Sequence, residues 1–180
     1  MDGKNAFRWY LITHNYQAYQ LVSEKVDALG IEMYSPAKYT VTRRSDGSGQ
    51  RTRRTQLFPG YVFLRLSVEQ IHLISTLTGV KEFVRFGTDI CTVSDSLIEA
   101  LKQSLLLRAD KKVTQIEFSN IPTELVKSLE AISLISGQLA RQSAFLLLLQ
   151  QDVSVQKGMM IKNSCVSSVI EHPFVNDLIN

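Results

Sequence analysis

Two segments decide the fold: Leu57-Phe58-Pro59-Gly60-Tyr61-Val62-Phe63-Leu64 and, after one short helix, Gly79-Val80-Lys81-Glu82-Phe83-Val84-Arg85-Phe86-Gly87. In the first segment, Pro-Gly opens a run in which aromatic and aliphatic side chains mix, as in a strand. The second segment is another apolar run, and it ends at a glycine. Ile71 and Ile74 lie on one flank of the helix between them. The two segments therefore predict a β-α-β unit.

The residues around this unit complete a domain of the α+β class. The expected elements, in chain order, are a strand at 9–13, a helix at 16–29, strands at 33–44 and 51–57, a strand at 61–66, a helix at 68–77, a strand at 80–86, and a helix that runs from a capping box at Ser96 and Glu99 to about Arg108. This order fits a four-stranded, mostly antiparallel sheet with helices on one side and an added hairpin. That is the ferredoxin-like arrangement.

The composition indicates an ordinary globular chain of 180 residues, 44% hydrophobic and 21% charged. No apolar run approaches the roughly 18 residues of a membrane span, and the N-terminus lacks the apolar core of a signal peptide. We therefore expect a cytoplasmic protein without a membrane partner. Cys91 and Cys165 have no CxxC or histidine neighbour, which favours buried free thiols over a metal site or a disulfide. No phosphate-binding loop or Gly-x-Ser-x-Gly motif occurs, so we expect neither an enzyme nor a cofactor.

Positive charge is concentrated in the first part of the chain. Residues 1–108 hold 14 Lys or Arg and 10 Asp or Glu, whereas residues 109–180 hold 6 and 7. Five arginines fall close together, opposed only by Asp46: Arg43, Arg44, Arg51, Arg53 and Arg54. Because residues 45–49 are typical of a turn, they predict a β-hairpin whose guanidinium groups suit a phosphate backbone. The alternative is a solvated hairpin whose arginines only discourage edge pairing.

The pattern changes after residue 108, which divides the chain into a domain at 1–108, a linker at 109–121 and a C-terminal region at 122–180. Pro122 precedes a helix whose apolar residues recur every three or four positions, namely Leu125, Leu129, Ile132, Ile135 and Leu139. Two interpretations remain open for residues 141–161. The leucines after Phe145 would continue a helical hairpin, whereas the alternation of Val153 and Val155 favours strands. The residues beyond form an unassigned tail.

Together with Arg8-Trp9-Tyr10-Leu11-Ile12, the two opening segments resemble the N-terminal (NGN) domain of the NusG/RfaH family of transcription elongation factors. The likeness covers about residues 7–108. Family members usually continue into a small β-barrel with a Gly-Asp-x-Val-x-Ile (KOW) motif, which this sequence lacks. The missing motif argues against Rho and a ribosomal protein as partners, since both bind through that barrel. Ala140-Arg141 ahead of the leucine run is similar to the C-terminal region of RfaH, which favours the helical hairpin.

The resemblance implies attachment to transcribing RNA polymerase, where bridging of the cleft suppresses pausing and termination. In the family an apolar depression docks on the clamp helices of the largest subunit, and the matching residues here are Tyr61, Phe63, Phe86, Ile98 and Leu101. Contact with the gate loop of the second-largest subunit would come from His72, Ser75 and Thr76. The plainer interpretation of the apolar set is hydrophobic core, which is equally expected for Tyr61 and Ile98. The other three favour a docking surface, because that surface is itself apolar.

The resemblance also implies contact with DNA. In the RfaH branch, basic residues after the first strand read the exposed non-template strand. Here Asn15 and Tyr16 stand at that place, and they can hydrogen-bond to a base edge and stack on a base. The arginine hairpin would contact the non-template strand or upstream duplex DNA. The competing hypothesis is a stand-alone nucleic-acid-binding or ribosome-associated module that does not bind polymerase. If the C-terminal hairpin covers the apolar depression, the free protein would be autoinhibited.

Overall fold

The computed structural model describes residues 6–109, apart from Arg44, Asp46 and Ser48, and residues 121–169. The strands are β1 (Arg8–His14), β2 (Glu32–Tyr34), β3 (Ala37–Arg43), β4 (Gln50–Gln56), β5 (Tyr61–Leu66), β6 (Val80–Phe83), β7 (Arg85–Phe86), β8 (Asp89–Ile90) and β9 (Thr92–Val93). The helices are α1 (Tyr19–Ala28), α2 (Gln70–Ser75), α3 (Asp95–Ala109), α4 (Thr123–Leu134) and α5 (Gln138–Val169), with a 3₁₀ turn at Tyr16–Ala18 before α1. Most of the expected linker, and the end of the expected tail, lie outside the described residues.

The main sheet has β1 near its centre. Its strand order is β2-β5-β1-β6, and all neighbouring pairs are antiparallel. The short strand β9 pairs with β1 on the same side as β6. Leu11 pairs with Phe63, and Tyr10 pairs with Leu64. Alternate residues of β1 and β5 therefore share one face of the sheet. β5 and β6 are parallel, flank β1 and are connected through α2, which confirms the β-α-β unit.

Helices cover both faces of this sheet. On one face, Tyr10 and Val62 belong to a buried cluster that includes residues of α1 and α2. On the other face, Leu11 and Phe63 belong to a second cluster that includes residues of α3. The expectation of helices on one side is wrong, because consecutive residues of β1 and β5 are apolar and each face needs a cover.

Two expected strands are interrupted. The strand expected at 33–44 is two strands, because Ser35 and Pro36 belong to neither sheet and proline has no N–H to donate to a ladder. The chain then forms the separate β3–β4 hairpin, paired from Ala37 with Gln56 to Arg43 with Gln50. The strand expected at 80–86 breaks at Val84, whose N–H still donates to the Leu11 carbonyl at 2.9 Å. β7 then pairs with β8 in a small hairpin of its own.

The expected capping box of α3 is wrong by two residues. The Ser94 hydroxyl accepts from the Leu97 N–H at 3.2 Å, so Ser94 rather than Ser96 is the N-cap and α3 begins at Asp95. The helices expected at 16–29 and 68–77 are also shorter than predicted, since the first opens as a 3₁₀ turn and the second spans only six residues.

The C-terminal region forms two helices, α4 and α5, as the helical interpretation predicted. Residues 141–161 all lie in α5, which extends to Val169, so the interpretation as strands is wrong. Leu129 of α4 and Phe145 of α5 belong to the same buried cluster as Phe63. The helical hairpin therefore packs on the same face of the sheet as α3. Within the described residues, no helix combines the length and the apolar character that crossing a membrane requires.

Candidate functional site

The first candidate surface is the sheet face that carries Phe63, together with the adjoining side of α3. Phe63 is 1% exposed, and Ile98 and Leu101 are fully buried in the same cluster. Tyr61 and Phe86 are half-buried and pack against that cluster. The five residues expected to form the apolar depression thus lie together, and three of them are covered. We call this surface the Phe63 face.

Helix α5 supplies much of the cover. The Phe145 ring stacks on Phe58, with centroids 4.1 Å apart and an interplanar angle of 18°, and it meets Phe63 edge-on at 5.9 Å and 88°. The edge-on contact with Phe63 has a favourable ring geometry. Other apolar residues of α4 and α5 complete the cover: Leu129, Ile132, Leu149 and Val153. The Phe63 face is therefore buried by residues from outside the region expected to form the N-terminal domain.

Polar contacts fix the position of α5 beside the loop that leads into β5. Arg141 Nε donates to the Leu57 carbonyl at 2.9 Å, and Gln142 Nε2 donates to the Pro59 carbonyl at 2.8 Å. These contacts satisfy backbone acceptors that the docked helix removes from water. They define one position of α5 on the Phe63 face, which apolar packing alone would specify less tightly.

Asp152 joins a later turn of α5 to the start of α3. Its carboxylate accepts from the Ser94 N–H at 3.3 Å and from the Ser94 hydroxyl at 3.2 Å, a favourable place for a negative charge. Cys91 lies close by and is a buried free thiol. Burial and, second, the Asp152 charge raise the pKa of the Cys91 thiol to about 12. The side chain of Cys165 lies outside the described part of the structure.

The second candidate surface is a groove of about 350 Å³ between the start of α1 and β4. Its lining includes Tyr16, Tyr19, Gln20, Arg53, Arg54 and Pro59. Tyr16 is 66% exposed, which leaves its ring free to stack. The groove unites Tyr16 with two hairpin arginines, residues that the sequence placed in separate motifs. Asn15 lies next to it in the chain, and its side-chain oxygen accepts from the Gln17 N–H at 3.4 Å, which caps the 3₁₀ turn. We call this the Tyr16 groove.

The arginines of the β3–β4 hairpin divide between its two faces. Arg51 and Arg53 share one face, whereas Arg43 and Arg54 share the other, because paired residues of antiparallel strands point the same way. All four are exposed. Arg44, the fifth arginine of the expected set, lies outside the described residues. A hairpin with cations on both faces can approach a polyanion from either side.

The residues expected at a gate-loop contact lie on α2 and just after it. His72, Ser75 and Thr76 are all exposed. The Ser75 hydroxyl donates to the His72 carbonyl at 2.7 Å, and the Thr76 hydroxyl donates to the Leu73 carbonyl at 2.9 Å. Both hydroxyls are therefore committed to their own helix as donors and can offer only acceptor positions to a partner.

The sequence interpretation missed several residues that line these surfaces. Tyr19 was predicted only as part of the helix at 16–29, yet it also lines the Tyr16 groove. Phe58 was treated as part of a strand-opening motif, although it forms the closest aromatic stack with the C-terminal hairpin. The sequence did offer one signal of an aromatic surface beside the arginines, because Tyr39 is a large aromatic residue within the basic hairpin. Among the described residues, no three His, Cys, Asp or Glu side chains cluster as metal ligands would.

Comparisons with known proteins identify one family. The family model described as "NusG: Transcription termination factor nusG" matches residues 7–102. Among solved structures, the chain is similar to one described as "Domain interaction in Thermotoga maritima NusG", with 22% identity over 63% of this chain and 68% of that chain and a TM-score of 0.40. No curated protein matches the sequence.

Proposed function

Because the chain belongs to the NusG family of transcription factors, we propose that it is an elongation factor that attaches to transcribing RNA polymerase and suppresses pausing or termination. The Phe63 face supports this proposal. It is an apolar surface that already accommodates the helices α4 and α5, and a surface shaped for helices can receive the clamp helices of the largest polymerase subunit. Phe63, Ile98 and Leu101 would lie at the centre of that contact, with Tyr61 and Phe86 at its margin.

The cover over the Phe63 face supports a second part of the proposal, that the free protein is autoinhibited. Because α5 and the clamp helices would need the same surface, polymerase could bind only to molecules in which α5 has left it. The affinity for polymerase is then lowered by the free energy of docking α5, about 1 to 3 kcal/mol for couplings of this kind. Under this proposal residues 1–108 form the polymerase-binding domain, residues 109–121 a linker, and residues 122–180 the covering region.

The test compares core polymerase binding by the full chain and by Phe145→Asp. A carboxylate placed against the buried Phe58 and Phe63 rings would lose its hydration, so α5 should leave the sheet. We expect this variant to bind core polymerase roughly ten- to a hundredfold more tightly than the unmodified chain. Surface plasmon resonance or a pull-down titration would measure the affinities of the unmodified chain and of Phe145→Asp for core polymerase.

Leu147→Asp is the matched control, because Leu147 lies on the same helix but is 62% exposed. It should bind polymerase like the unmodified chain. Adding Phe63→Asp to Phe145→Asp should then abolish binding, with circular dichroism to show that the domain is still folded. Equal affinities for Phe145→Asp and Leu147→Asp would refute autoinhibition. Undiminished binding by the folded double variant would refute the Phe63 face as the polymerase contact.

Nucleic-acid contact is the third part of the proposal. Tyr16 with Arg53 and Arg54 would hold the non-template strand, and Arg43 and Arg51 would reach further along it or contact upstream duplex DNA. The exposed aromatic ring and the two guanidinium groups in one groove support this assignment. Asn15 would act mainly by holding the turn that presents Tyr16.

At the gate loop of the second-largest subunit, His72 would supply the donor, while Ser75 and Thr76 would supply acceptors.

The Tyr16 groove is also compatible with a stand-alone nucleic-acid-binding or ribosome-associated module. A pull-down from lysate treated with nuclease separates the two functions. Retention of core polymerase after nuclease treatment supports the elongation factor. Loss of polymerase, together with RNA-dependent sedimentation with ribosomes, would instead support the module.

A further inference from the structure

A second groove shares Arg54 with the Tyr16 groove. It has a volume of about 360 Å³ and lies between β2, the base of the β3–β4 hairpin and α3. Its lining includes Tyr34, Ala37, Tyr39, Arg54, Lys102 and Leu105. Tyr39 is 63% exposed, so the hairpin presents a large part of this ring to solvent. We call this the Tyr39 groove.

Arg54 connects the two grooves. Its guanidinium carbon lies 5.8 Å from the centroid of the Tyr19 ring, which lines the Tyr16 groove. Burial lowers the pKa of Arg54, but the neighbouring Tyr19 and Tyr39 side chains raise it, and the net effect is upward. Arg54 Nη2 donates to the Ser35 carbonyl at 3.2 Å. A permanent positive charge is therefore held between one tyrosine of each groove.

Lys102 supplies a second cation in the Tyr39 groove. Its Nζ lies 5.6 Å from the centroid of the Tyr34 ring and 2.7 Å from Glu99 Oε1. The side chains of this ion pair are 33% and 39% exposed, so solvent reaches both charges and screens part of their attraction. A phosphate oxygen could therefore replace the Glu99 carboxylate as the partner of Lys102.

Aromatic rings bordered by cations are the usual means of binding single-stranded nucleic acid, because every base has a face that can stack and every phosphodiester linkage carries a negative charge. Bases in a duplex are already stacked on one another, so a groove of this kind selects unpaired nucleotides. We propose that the Tyr39 groove holds one base of a single strand, that a neighbouring base occupies the Tyr16 groove, and that the phosphate between them lies at Arg54.

This inference rests on the proposed nucleic-acid contact and extends it from one groove to two. The Tyr39 groove is open while α4 and α5 cover the Phe63 face. The strand can therefore bind before α5 is released, and polymerase docking is not needed to create the site.

The experiment measures binding of the full chain to fluorescein-labelled oligothymidylate and oligouridylate of about 12 nucleotides, a length that spans several bases. Tyr39→Ala should weaken binding by about tenfold, the effect expected for loss of one stacked base. Val41→Ala is the matched control, since Val41 lies on the same strand and face and is 56% exposed. It should leave the affinity unchanged. The DNA and RNA arms show which strand the groove prefers, and binding of either one satisfies the proposal.

Charge variants test the assigned phosphate contact. Lys102→Gln should weaken binding and reduce the salt dependence, whereas Glu99→Gln should strengthen binding because it frees Lys102. Lys127→Gln is the control for lost charge, because Lys127 also pairs with a glutamate one helical turn away. Thermal unfolding should show that each variant is folded.

The outcomes separate the two-groove proposal from the proposed function. Weakening by Tyr39→Ala and by Tyr16→Ala, with Val41→Ala neutral, supports both. Weakening by Tyr16→Ala alone would overturn the Tyr39 groove and keep the single-groove contact. Equal binding by Tyr16→Ala, Tyr39→Ala and the unmodified chain would overturn both. A Tyr39→Ala variant no weaker than Val41→Ala overturns the second groove in every case.

Discussion

At the scale of single residues, Gly79 has the tightest requirement. It lies just before β6 with φ at +99°, and a Cβ there would be 2.9 Å from Val22 Cγ2 and 3.0 Å from Ala18 Cβ. Its carbonyl also accepts from the Asn15 N–H at 2.9 Å. The position therefore ties the β-α-β unit to the turn that presents Tyr16, and only glycine satisfies both the backbone angle and the space.

We predict that Gly79→Ala lowers the free energy of unfolding by about 2 to 4 kcal/mol, through backbone strain and overpacking together. Gly87→Ala is the control, because Gly87 also has positive φ, +67°, but a Cβ there meets nothing within 4 Å. The free energy of unfolding of this control should fall by only about 1 to 2 kcal/mol, the cost of the backbone strain alone. Urea denaturation of both variants measures the difference, and equal losses would show that contact with α1 is unimportant.

At the scale of secondary-structure elements, the β3–β4 hairpin is a separate two-stranded sheet with little burial of its own. Its strands pair with each other and not with the main sheet, and most of its residues are exposed. Such a hairpin gains little from burial, so its sequence is free to serve a partner. The solvated-hairpin interpretation and the nucleic-acid interpretation predict different salt dependence.

We predict that replacing Arg43, Arg51 and Arg53 by Gln weakens binding to elongation complexes and lowers the salt slope by about one unit for each lost phosphate contact. The control replaces Arg65, Lys81 and Lys127 by Gln, which removes the same charge from exposed positions elsewhere. Binding should be measured across a range of salt concentrations. An equal change of slope in both triple variants would mean that only net charge matters.

At the scale of the whole molecule, the central question is whether α5 leaves the Phe63 face. Cys91 can report this event, since it is buried in the same cluster and its thiol pKa is raised to about 12 by burial and by Asp152. The thiolate is the reactive form, so a raised pKa keeps the thiol inert at ordinary pH. Release of α5 removes Asp152 and part of the burial, and both changes lower the pKa.

We predict that Cys91, in a Cys165→Ser chain, reacts with iodoacetamide at about pH 8 at least a hundredfold more slowly than an exposed thiol. Phe145→Asp should accelerate the reaction strongly, and Leu147→Asp should not. In the closed chain the rate should keep rising with pH beyond about 9, because the folded pKa lies above the unfolded value. Levelling off near 9 would show that labelling occurs only through opened molecules.

Much of this architecture could be predicted from local sequence patterns. The apolar run at Tyr61–Leu66, the glycine-ended run at 79–87 and the period of apolar residues in α4 are properties of neighbouring residues, and local backbone geometry follows from them. Two differences involve distant residues: Ser94, the actual cap, also bonds to Asp152 of α5, and the N–H of Val84, where the strand breaks, donates to the Leu11 carbonyl. The break at Pro36 is local, because proline has no N–H to donate to a strand ladder. The basic hairpin was predicted because turn residues and clustered charge are also local signals.

The sequence by itself determined most of the strands and helices, the basic hairpin and the helix after Pro122, but it left residues 141–161 open between helix and strand. Only the tertiary structure decided what the apolar residues face. Phe63 and Phe145 are 82 positions apart in the sequence, and nothing local distinguishes a core phenylalanine from one on a docking surface, since both are apolar and both are buried when a partner is present. The two grooves arise in the same way, because each is lined by side chains that become neighbours only after the chain has folded.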